Sequence, residues 1–220
     1  MSQDMMMLLF EGLLDSLYMI CASSGIAFII GLPMGVVLSV TDNGNILENR
    51  PVNAVLSFVV NIGRSIPFII LMVAIMPLTR LLVGTSIGTN AAIVPLSAAA
   101  TPFVARVVES SLREIDRGVI EAALSMGARP MEIIVKALLP EALPSIIAGL
   151  TLTLINLVGY SAMAGAIGGG GLGDIAIRYG FQRFMPTVMF VTVVILVLLV
   201  QFFQLAGDKL AAVARHDRKN

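Results

Sequence analysis

Five long apolar segments divide this 220-residue chain, and they constrain its fold more than any other feature of the sequence. Hydrophobic residues make up 57% of the chain, charged residues only 13%, and the mean hydropathy is +0.95. A soluble domain carries about 25% charged residues, so this composition excludes a water-soluble protein. Because about 20 apolar residues cross the hydrocarbon core as a helix, the sequence predicts an all-α integral membrane protein with five transmembrane helices.

The predicted organisation is one transmembrane domain over residues 1–208, followed by a cytoplasmic tail, 209–220. The predicted spans are 17–40, 55–77, 91–108, 144–167 and 187–206. Prolines and small residues in the third span favour a helix inside a bundle, whereas the Val, Leu and Ile run of the fifth is typical of a lipid-facing helix. The N-terminal residues carry no Lys or Arg, unlike a signal peptide, so we expect the first span to remain in the mature protein.

Basic residues are distributed unequally between the two ends of the predicted spans. With five spans, ten of them share one side: Arg50, Arg106, Arg113, Arg117, Arg129, Lys136, Lys209, Arg215, Arg218 and Lys219. The opposite side has only Arg80, Arg178 and Arg183, and Arg64 lies within the second span. Since basic residues accumulate on the cytoplasmic side, the distribution predicts an outer N-terminus and a cytoplasmic C-terminus.

Several kinds of chemistry are excluded by what the sequence lacks. A single cysteine, Cys21, and a single histidine, His216, leave no internal disulfide and no His/Cys metal site. Zero net charge without a basic, aromatic-rich run argues against nucleic-acid binding. The chain has no G-x-x-x-x-G-K-[ST] motif, so we expect it not to bind ATP itself.

A formal G-x-G-x-x-G occurs at Gly168, Gly170 and Gly173. No strand is predicted before it, and it lies at the outer end of a span, so we do not expect a dinucleotide site. A flexible outer loop that meets a delivery protein or reshapes a gate is the favoured interpretation.

The polar segment 109–142 has apolar residues at a rough helical spacing, which predicts an amphipathic helix. Gly127 stands where a helix would end in a left-handed residue, and Pro130 where a new helix would begin, with Glu132 in its first turn. The pattern predicts a helix, a sharp turn and a second helix between two spans. Such a short helix at the membrane surface can dock in a groove of a soluble partner.

This segment resembles the signature loop of ATP-binding-cassette (ABC) importer permeases, which is Glu-Ala-Ala, a glycine four residues on, and a later Leu-Pro. The matching residues are Glu121, Ala122, Ala123, Gly127, Leu139 and Pro140. Ala137 stands where the family usually has Ile, which removes a packing group and leaves the turn intact. In that family the helix before the glycine is the coupling helix that sits on the ATPase subunit, so the resemblance implies an ATPase-coupling role for these residues.

Segments 61–68, 83–88, 157–163 and 170–173 are similar to the methionine-importer permeases, and the similarity covers nearly the whole chain. It implies a type I ABC importer permease fold with a cytoplasmic coupling-helix loop, in the bacterial inner membrane with the N-terminus periplasmic. The implied partners are a second copy of the chain, two cytoplasmic ATP-binding subunits that carry ATP and Mg, and a periplasmic methionine-binding lipoprotein. Methionine is the implied transported ligand, and this chain itself holds no cofactor.

Polar side chains inside predicted spans two and four are candidates for the substrate pathway, because a zwitterion needs donors, acceptors and an apolar wall. The candidates are Asn61, Arg64, Asn156, Tyr160 and Ser161, with Met163 as the apolar wall. Arg64 either lines a cavity or extends to the cytoplasmic headgroups. Asn156 and Tyr160, four residues apart on one helix face, either line the pathway or bond across helices.

Three alternatives differ in the features they require. A permease of the same machinery for another amino acid has the same loop, and the 13 methionines do not discriminate, since methionine is a common packing residue. An intramembrane enzyme needs acids, nucleophiles or metal ligands at membrane depth, which the sequence does not supply. An ion channel does not need the coupling loop. Five helices enclose little space, so we expect a two-fold homodimer.

Overall fold

The structure is a computed structural model that describes residues 3–217, with the side chains of 3–215. All regular structure among them is helical: α1 Gln3–Val40, α2 Arg50–Ser65, α3 Phe68–Ala74, α4 Met76–Val83, α5 Thr89–Arg113, α6 Arg117–Ser125, α7 Pro130–Ile133, α8 Leu139–Ala164, α9 Gly171–Ile175 and α10 Pro186–Asp217. The predicted all-α architecture is confirmed. Ser2 and, in the predicted tail, Arg218 and Lys219 lie outside the described residues, as does the side chain of His216.

Helix α1 begins at Gln3, well before the predicted start of the first span at residue 17, and ends at Val40 as predicted. The earlier start follows from residues 5–10, which are apolar and free of proline and glycine. At 1.5 Å per residue this helix is about 57 Å long, more than the hydrocarbon core of about 30 Å. One end of α1 must therefore project beyond the membrane or the helix must tilt.

Residues 41–49 form a turn between α1 and α2 that is closed by its own polar groups. Asn45 Nδ2 donates to the Ser39 carbonyl at 2.8 Å. The Gly44 N–H donates to Glu48 at 3.0 Å, and this bond, reinforced by the Arg50 guanidinium, holds the pKa of the Glu48 carboxyl below its usual range. Hydrogen bonds within the turn and to the last residues of α1 therefore hold it in one conformation.

The prediction of one continuous helix over 55–77 is wrong. Helices α2 and α3 meet at a break of two residues and are bent by 103°. Pro67 has no N–H, and it disfavours the helical conformation for Ile66, whose φ of −81° and ψ of 123° are extended. A second break follows at Ile75, and α4 then begins with Pro77 in its first turn.

Within the described residues, four helices are long and apolar enough to cross a membrane. They are α1, α5, the continuous helix that contains α8, and α10. The bent pair α2 and α3 makes a fifth if it counts as one span. The count agrees with the predicted five spans if α2 and α3 together form one broken span.

Helix α5 occupies the centre of the bundle and packs against α1, α2 and α8. Half of the residues in its most apolar stretch are buried, whereas only 17% of those in the corresponding stretch of α10 are. The predicted interior position of the third span is therefore confirmed. Gly31 of α1 faces Val104 of α5 so closely that an added Cβ would lie 2.8 Å from the Val104 Cβ. Small residues allow this close approach of two helix backbones.

The predicted helix, turn and helix within 109–142 are present, with different limits. Helix α5 extends through Arg113, so residues 109–113 belong to the third span helix rather than to a loop. Helix α7 continues through the π-helical segment Ile134–Leu138 into α8, and the fourth span helix thus starts at Pro130 rather than at 144. The π-helical turn lies directly before Pro140, whose missing N–H removes one ordinary helix bond.

The glycine-rich segment after α8 differs from the expected flexible loop. It consists of the kinked turn Gly165–Gly169 and the short helix α9, and several of its glycines are buried. The Gly88 N–H donates to the Gly168 carbonyl at 2.9 Å, and the Leu172 N–H donates to Ser16 Oγ at 2.9 Å. This segment therefore joins α1, the start of α5 and the end of α8. No strand precedes it among the described residues.

Candidate coupling loop and substrate cleft

The first helix of the loop, α6, has a side-chain cap at its N-terminus. Asp116 Oδ1 accepts a hydrogen bond from the Gly118 N–H at 2.6 Å. After the turn, the Arg129 N–H donates to Glu132 Oε2 at 3.0 Å, so a side chain inside α7 caps the residue that precedes this helix. Local hydrogen bonds thus define both helix starts, as the acidic residues of the sequence indicate.

Gly127 ends α6 in a Schellman motif. Its φ is +78°, its N–H donates to the Leu124 carbonyl at 2.9 Å, and the Ala128 N–H donates to the Ala123 carbonyl at 3.1 Å. These are the two backbone bonds that define the motif, and they require a residue at positive φ. The predicted left-handed position is confirmed, and it sets the sharp angle between α6 and α7.

Helix α6 presents one face to the bundle and one to the outside. Ala123 is buried, whereas Glu121 and Ala122 are exposed. Apolar side chains are also exposed around the turn, with Met126 at 81% and Met131 at 68%. An exposed apolar surface on a polar loop is typical of a protein–protein contact.

The later part of the signature lies at the start of the fourth span. Leu139 is half-buried against the core, and Pro140 is exposed. Pro140 and Ala137 line a surface groove together with Leu210 and Val213 of α10. Ala137 also contacts the core, so the departure from the family pattern is a smaller packing group in the same place.

A cleft of about 210 Å³ opens beside the bend between α2 and α3. Its lining includes Arg64 of α2, Phe68 of α3, Phe103 of α5, and Thr153, Asn156 and Tyr160 of α8. Three of the six predicted pathway residues, Arg64, Asn156 and Tyr160, are therefore brought together. Their role in transport stays a prediction.

Aromatic rings form two walls of this cleft. Phe68 and Tyr160 are stacked, with ring centroids 4.7 Å apart and planes inclined by 5°. The Arg64 guanidinium lies over the Phe103 ring, 5.8 Å from its centroid. None of the ion pairs among the described residues includes Arg64, so its positive charge faces the cleft without a carboxylate partner. A cation, an amide, a phenol and aromatic faces together suit a small amphipathic anion or zwitterion.

The other three predicted pathway residues lie outside this cleft. Asn61 Oδ1 accepts a hydrogen bond from Arg106 Nη2 at 2.7 Å. Ser161 is buried and donates to the Val158 carbonyl at 2.8 Å, a bond within its own helix. Met163 is 47% exposed on the outer surface of α8. A single chain does not test whether any of them contacts substrate, so their assignment also stays a prediction.

A family model described as "Binding-protein-dependent transport system inner membrane component" matches residues 17–212. This chain belongs to that family. It is therefore a multi-pass membrane component of a transport system, and the intramembrane enzyme and the ion channel are not favoured. No group of three or more His, Cys, Asp or Glu in the described part of the chain could hold a metal ion.

Similar proteins of the same family extend over nearly the whole chain. The "Probable D-methionine transport system permease protein MetI" of Vibrio cholerae is 57% identical over 202 residues, 92% of this chain and 90% of that protein. The protein of the same name from Pasteurella multocida is 53% identical over 198 residues, 90% of this chain and 91% of that protein.

Among solved structures, "Inward facing conformations of the MetNI methionine ABC transporter" contains a chain with 52% identity and a TM-score of 0.96. The match covers 97% of this chain and 99% of that chain. Together with the relatives above, it confirms the resemblance found in the sequence and the predicted permease fold.

Part of the cleft was not predicted from the sequence. Phe103 and Thr153 were not predicted as lining residues, although Thr153, Asn156 and Tyr160 repeat at i, i+3 and i+7, a helix face that the sequence shows. Phe68 follows Pro67, and that proline was the available signal for the bend that turns its ring into the cleft.

Proposed function

We propose that this chain is the permease subunit of an ATP-driven methionine importer and forms its translocation pathway. The observation that carries the proposal is the similarity, at 52% identity and a TM-score of 0.96, to a chain of the MetNI methionine ABC transporter. The relatives from Vibrio and Pasteurella are named as probable D-methionine transport system permease proteins, which supports the same substrate. Whether L- or D-methionine is preferred is an outcome of the uptake assay.

In this proposal α6 docks on a cytoplasmic ATPase subunit, and ATP and Mg bind to that partner. Support comes from the outward face of the loop, where Glu121, Ala122 and Met126 are exposed. Unbranched methionine side chains adapt to a partner surface at small cost in strain. The Schellman turn at Gly127 fixes α6 to α7, so a movement of α6 is passed to the fourth span helix.

The cleft chemistry supports methionine as the solute. The Arg64 guanidinium complements a carboxylate, and the Asn156 amide and Tyr160 hydroxyl supply hydrogen bonds. The stacked rings of Phe68 and Tyr160 offer aromatic surface to a thioether, a contact that contributes about 0.3–1.5 kcal/mol. Charge and aromatic surface therefore line the same small space.

The proposed assembly contains two copies of this chain, two ATPase subunits and a periplasmic methionine-binding lipoprotein. A cleft of about 210 Å³ lies below the usual range for ligand pockets, about 300–1,000 Å³, which suits half of a pathway completed by a second copy. The proposed location is the bacterial inner membrane, with the N-terminus periplasmic and the C-terminus cytoplasmic, as the distribution of basic residues indicates.

Uptake into sealed vesicles tests the function directly. The complete complex, two permease chains with their ATPase subunits, is reconstituted and supplied with ATP and with binding protein loaded with labelled methionine. We expect uptake that depends on ATP and on the binding protein. If the complex hydrolyses ATP and takes up another amino acid but not methionine, that amino acid would be the substrate in place of methionine.

A further inference from the structure

Glu109 is a buried carboxylate near the cytoplasmic end of α5, with 1% of its side chain exposed. It lies between two arginines of its own helix: Arg106 Nη1 contacts Oε2, and Arg113 Nη2 lies 2.9 Å from Oε1. The spacings i, i+3 and i, i+4 place all three side chains on one face. Since an unpaired carboxylate is costly to bury, Glu109 holds both guanidinium groups in place.

Each arginine also reaches a second element. Arg106 Nη2 donates to Asn61 Oδ1 of α2 at 2.7 Å. Arg113 Nη2 donates to Asp42 Oδ2, in the turn 41–49, at 2.8 Å. We call the five residues Asn61, Arg106, Glu109, Arg113 and Asp42 the Glu109 junction. One buried carboxylate thereby joins α5 to α2 and to the turn 41–49 that follows α1.

The cytoplasmic end of the junction lies beside the coupling loop. Arg113 is the last residue of α5, and only three residues separate it from the start of α6. Asp42, Arg113 and Glu121 line one cavity of about 440 Å³ between the turn 41–49 and α6. Ile46 of that turn contacts the same apolar core as Ile120 of α6. A displacement of α6 would therefore change the cavity that Arg113 and Asp42 line.

The other end of the junction lies beside the substrate cleft. Asn61 precedes Arg64 by three residues in α2, so the two side chains lie one turn apart on the same side of the helix. Arg64 lines the cleft, and Asn61 does not. A shift of α2 that is carried through Arg106 would thus move the cleft cation.

We propose that Glu109 is a positioning residue that transmits displacement of α6 to the segment of α2 that carries Arg64. It acts through the two arginines and touches no substrate. The inference rests on the proposed function, because it assigns a role within the coupling of ATP hydrolysis to transport. If the junction only stabilised the fold, its loss would lower ATP hydrolysis and uptake in proportion; as a transmission element, its loss lowers uptake alone.

The test measures ATP hydrolysed per solute taken up by the reconstituted complex. We expect Glu109→Gln to raise this ratio about fivefold or more, the lower end of ordinary coupling between sites. The apparent KM for loaded binding protein should not change, since Glu109 lies outside the cleft. Glu114→Gln is the matched control, because Glu114 is exposed and accepts only one hydrogen bond in the described structure, from Ser145 at 3.1 Å; its ratio should equal that of the wild type.

Asn61→Ala provides a second variant that keeps the buried carboxylate and both arginines. It should raise the ratio. In the double variant with Glu109→Gln the ratio should be little higher than in the more affected single variant, because the effects of residues in one network are not additive. Wild-type ratios in both single variants, or additive effects of the two substitutions, would overturn the inference. Failure of the wild-type complex to import methionine would instead overturn the proposed function, and the ratio would then be measured with the amino acid that is imported.

Discussion

The ring of Phe68 lies flat on the ring of Tyr160, 4.7 Å from centroid to centroid. This contact joins the first residue of α3, directly after the bend at Pro67, to the last turns of α8. Such a pair contributes about 0.5–1.5 kcal/mol beyond burial of its area. The broken second span is therefore attached to the fourth span at the wall of the cleft.

Tyr160→Ala should lower methionine uptake more than it lowers basal ATP hydrolysis. The variant removes both the stacked ring and the hydroxyl, and loss of the stack alone corresponds to roughly a two- to tenfold effect. Uptake and hydrolysis are measured in the same vesicles. Tyr160→Phe is the matched control, because it keeps the ring; a smaller loss in this variant assigns the difference to the hydroxyl.

Asn156→Leu should have the same selective effect, since it replaces an amide on the cleft wall by an apolar group of similar size. Asn156 lies one turn before Tyr160 on the same helix. Uptake at the wild-type level in both Asn156→Leu and Tyr160→Ala would remove the fourth span from the pathway.

Gly31→Ala should destabilise the bundle. The added Cβ would lie 2.8 Å from Val104 Cβ and 2.9 Å from the Thr101 carbonyl oxygen, and such overpacking costs about 1–3 kcal/mol. Gly25→Ala on the same helix is the control, because nothing lies within 4 Å of its Cβ position. Thermal unfolding in detergent should show a lower midpoint for Gly31→Ala and an equal or higher midpoint for Gly25→Ala. Equal midpoints for the two variants would contradict the close α1–α5 contact.

Local signals in the sequence were sufficient for the coupling loop. Gly127, Pro130 and Glu132 act on their own backbone neighbours, so their positions predict the turn and the start of the next helix. Proline within apolar segments was less informative. Pro95 and Pro102 remain inside α5, whereas Pro67 breaks a helix, and the sequence around them does not distinguish the two cases. Neighbouring helices surround α5, and packing of this kind tolerates an interior proline.

The cleft and the Glu109 junction were beyond local reasoning because their residues meet only through packing. Asn61 and Arg106 are 45 residues apart in sequence, and only the fold brings Oδ1 and Nη2 within 2.7 Å. Glu109 was assigned to a polar loop because charge density rises after it. The two arginines on the same helix face allow its burial. The sequence shows this pattern, but it does not show which face of the helix is covered by neighbouring elements.

The predicted orientation can be tested by labelling with a membrane-impermeant thiol reagent. In a Cys21→Ser background, a cysteine at Ser2 should react in intact cells, and a cysteine at His216 should react only after the membrane is permeabilised. The reason is the excess of basic residues on the side of the C-terminus. Labelling of position 216 but not of position 2 in intact cells would reverse the topology.

Gly127→Val should disrupt coupling more than folding. At φ +78° a β-branched residue is strongly disfavoured, with a cost of about 1–3 kcal/mol, so the Schellman turn between α6 and α7 would rearrange. The turn is exposed, and the helices on either side keep their own core contacts. We therefore expect the variant to insert and dimerise, yet to lose ATPase association or transport-linked ATP hydrolysis, as measured by co-purification and vesicle uptake. Gly127→Asn is the control, because asparagine tolerates the left-handed conformation and should retain more uptake. Normal uptake by Gly127→Val would mean that this turn is not the element that transmits the motion of the ATPase.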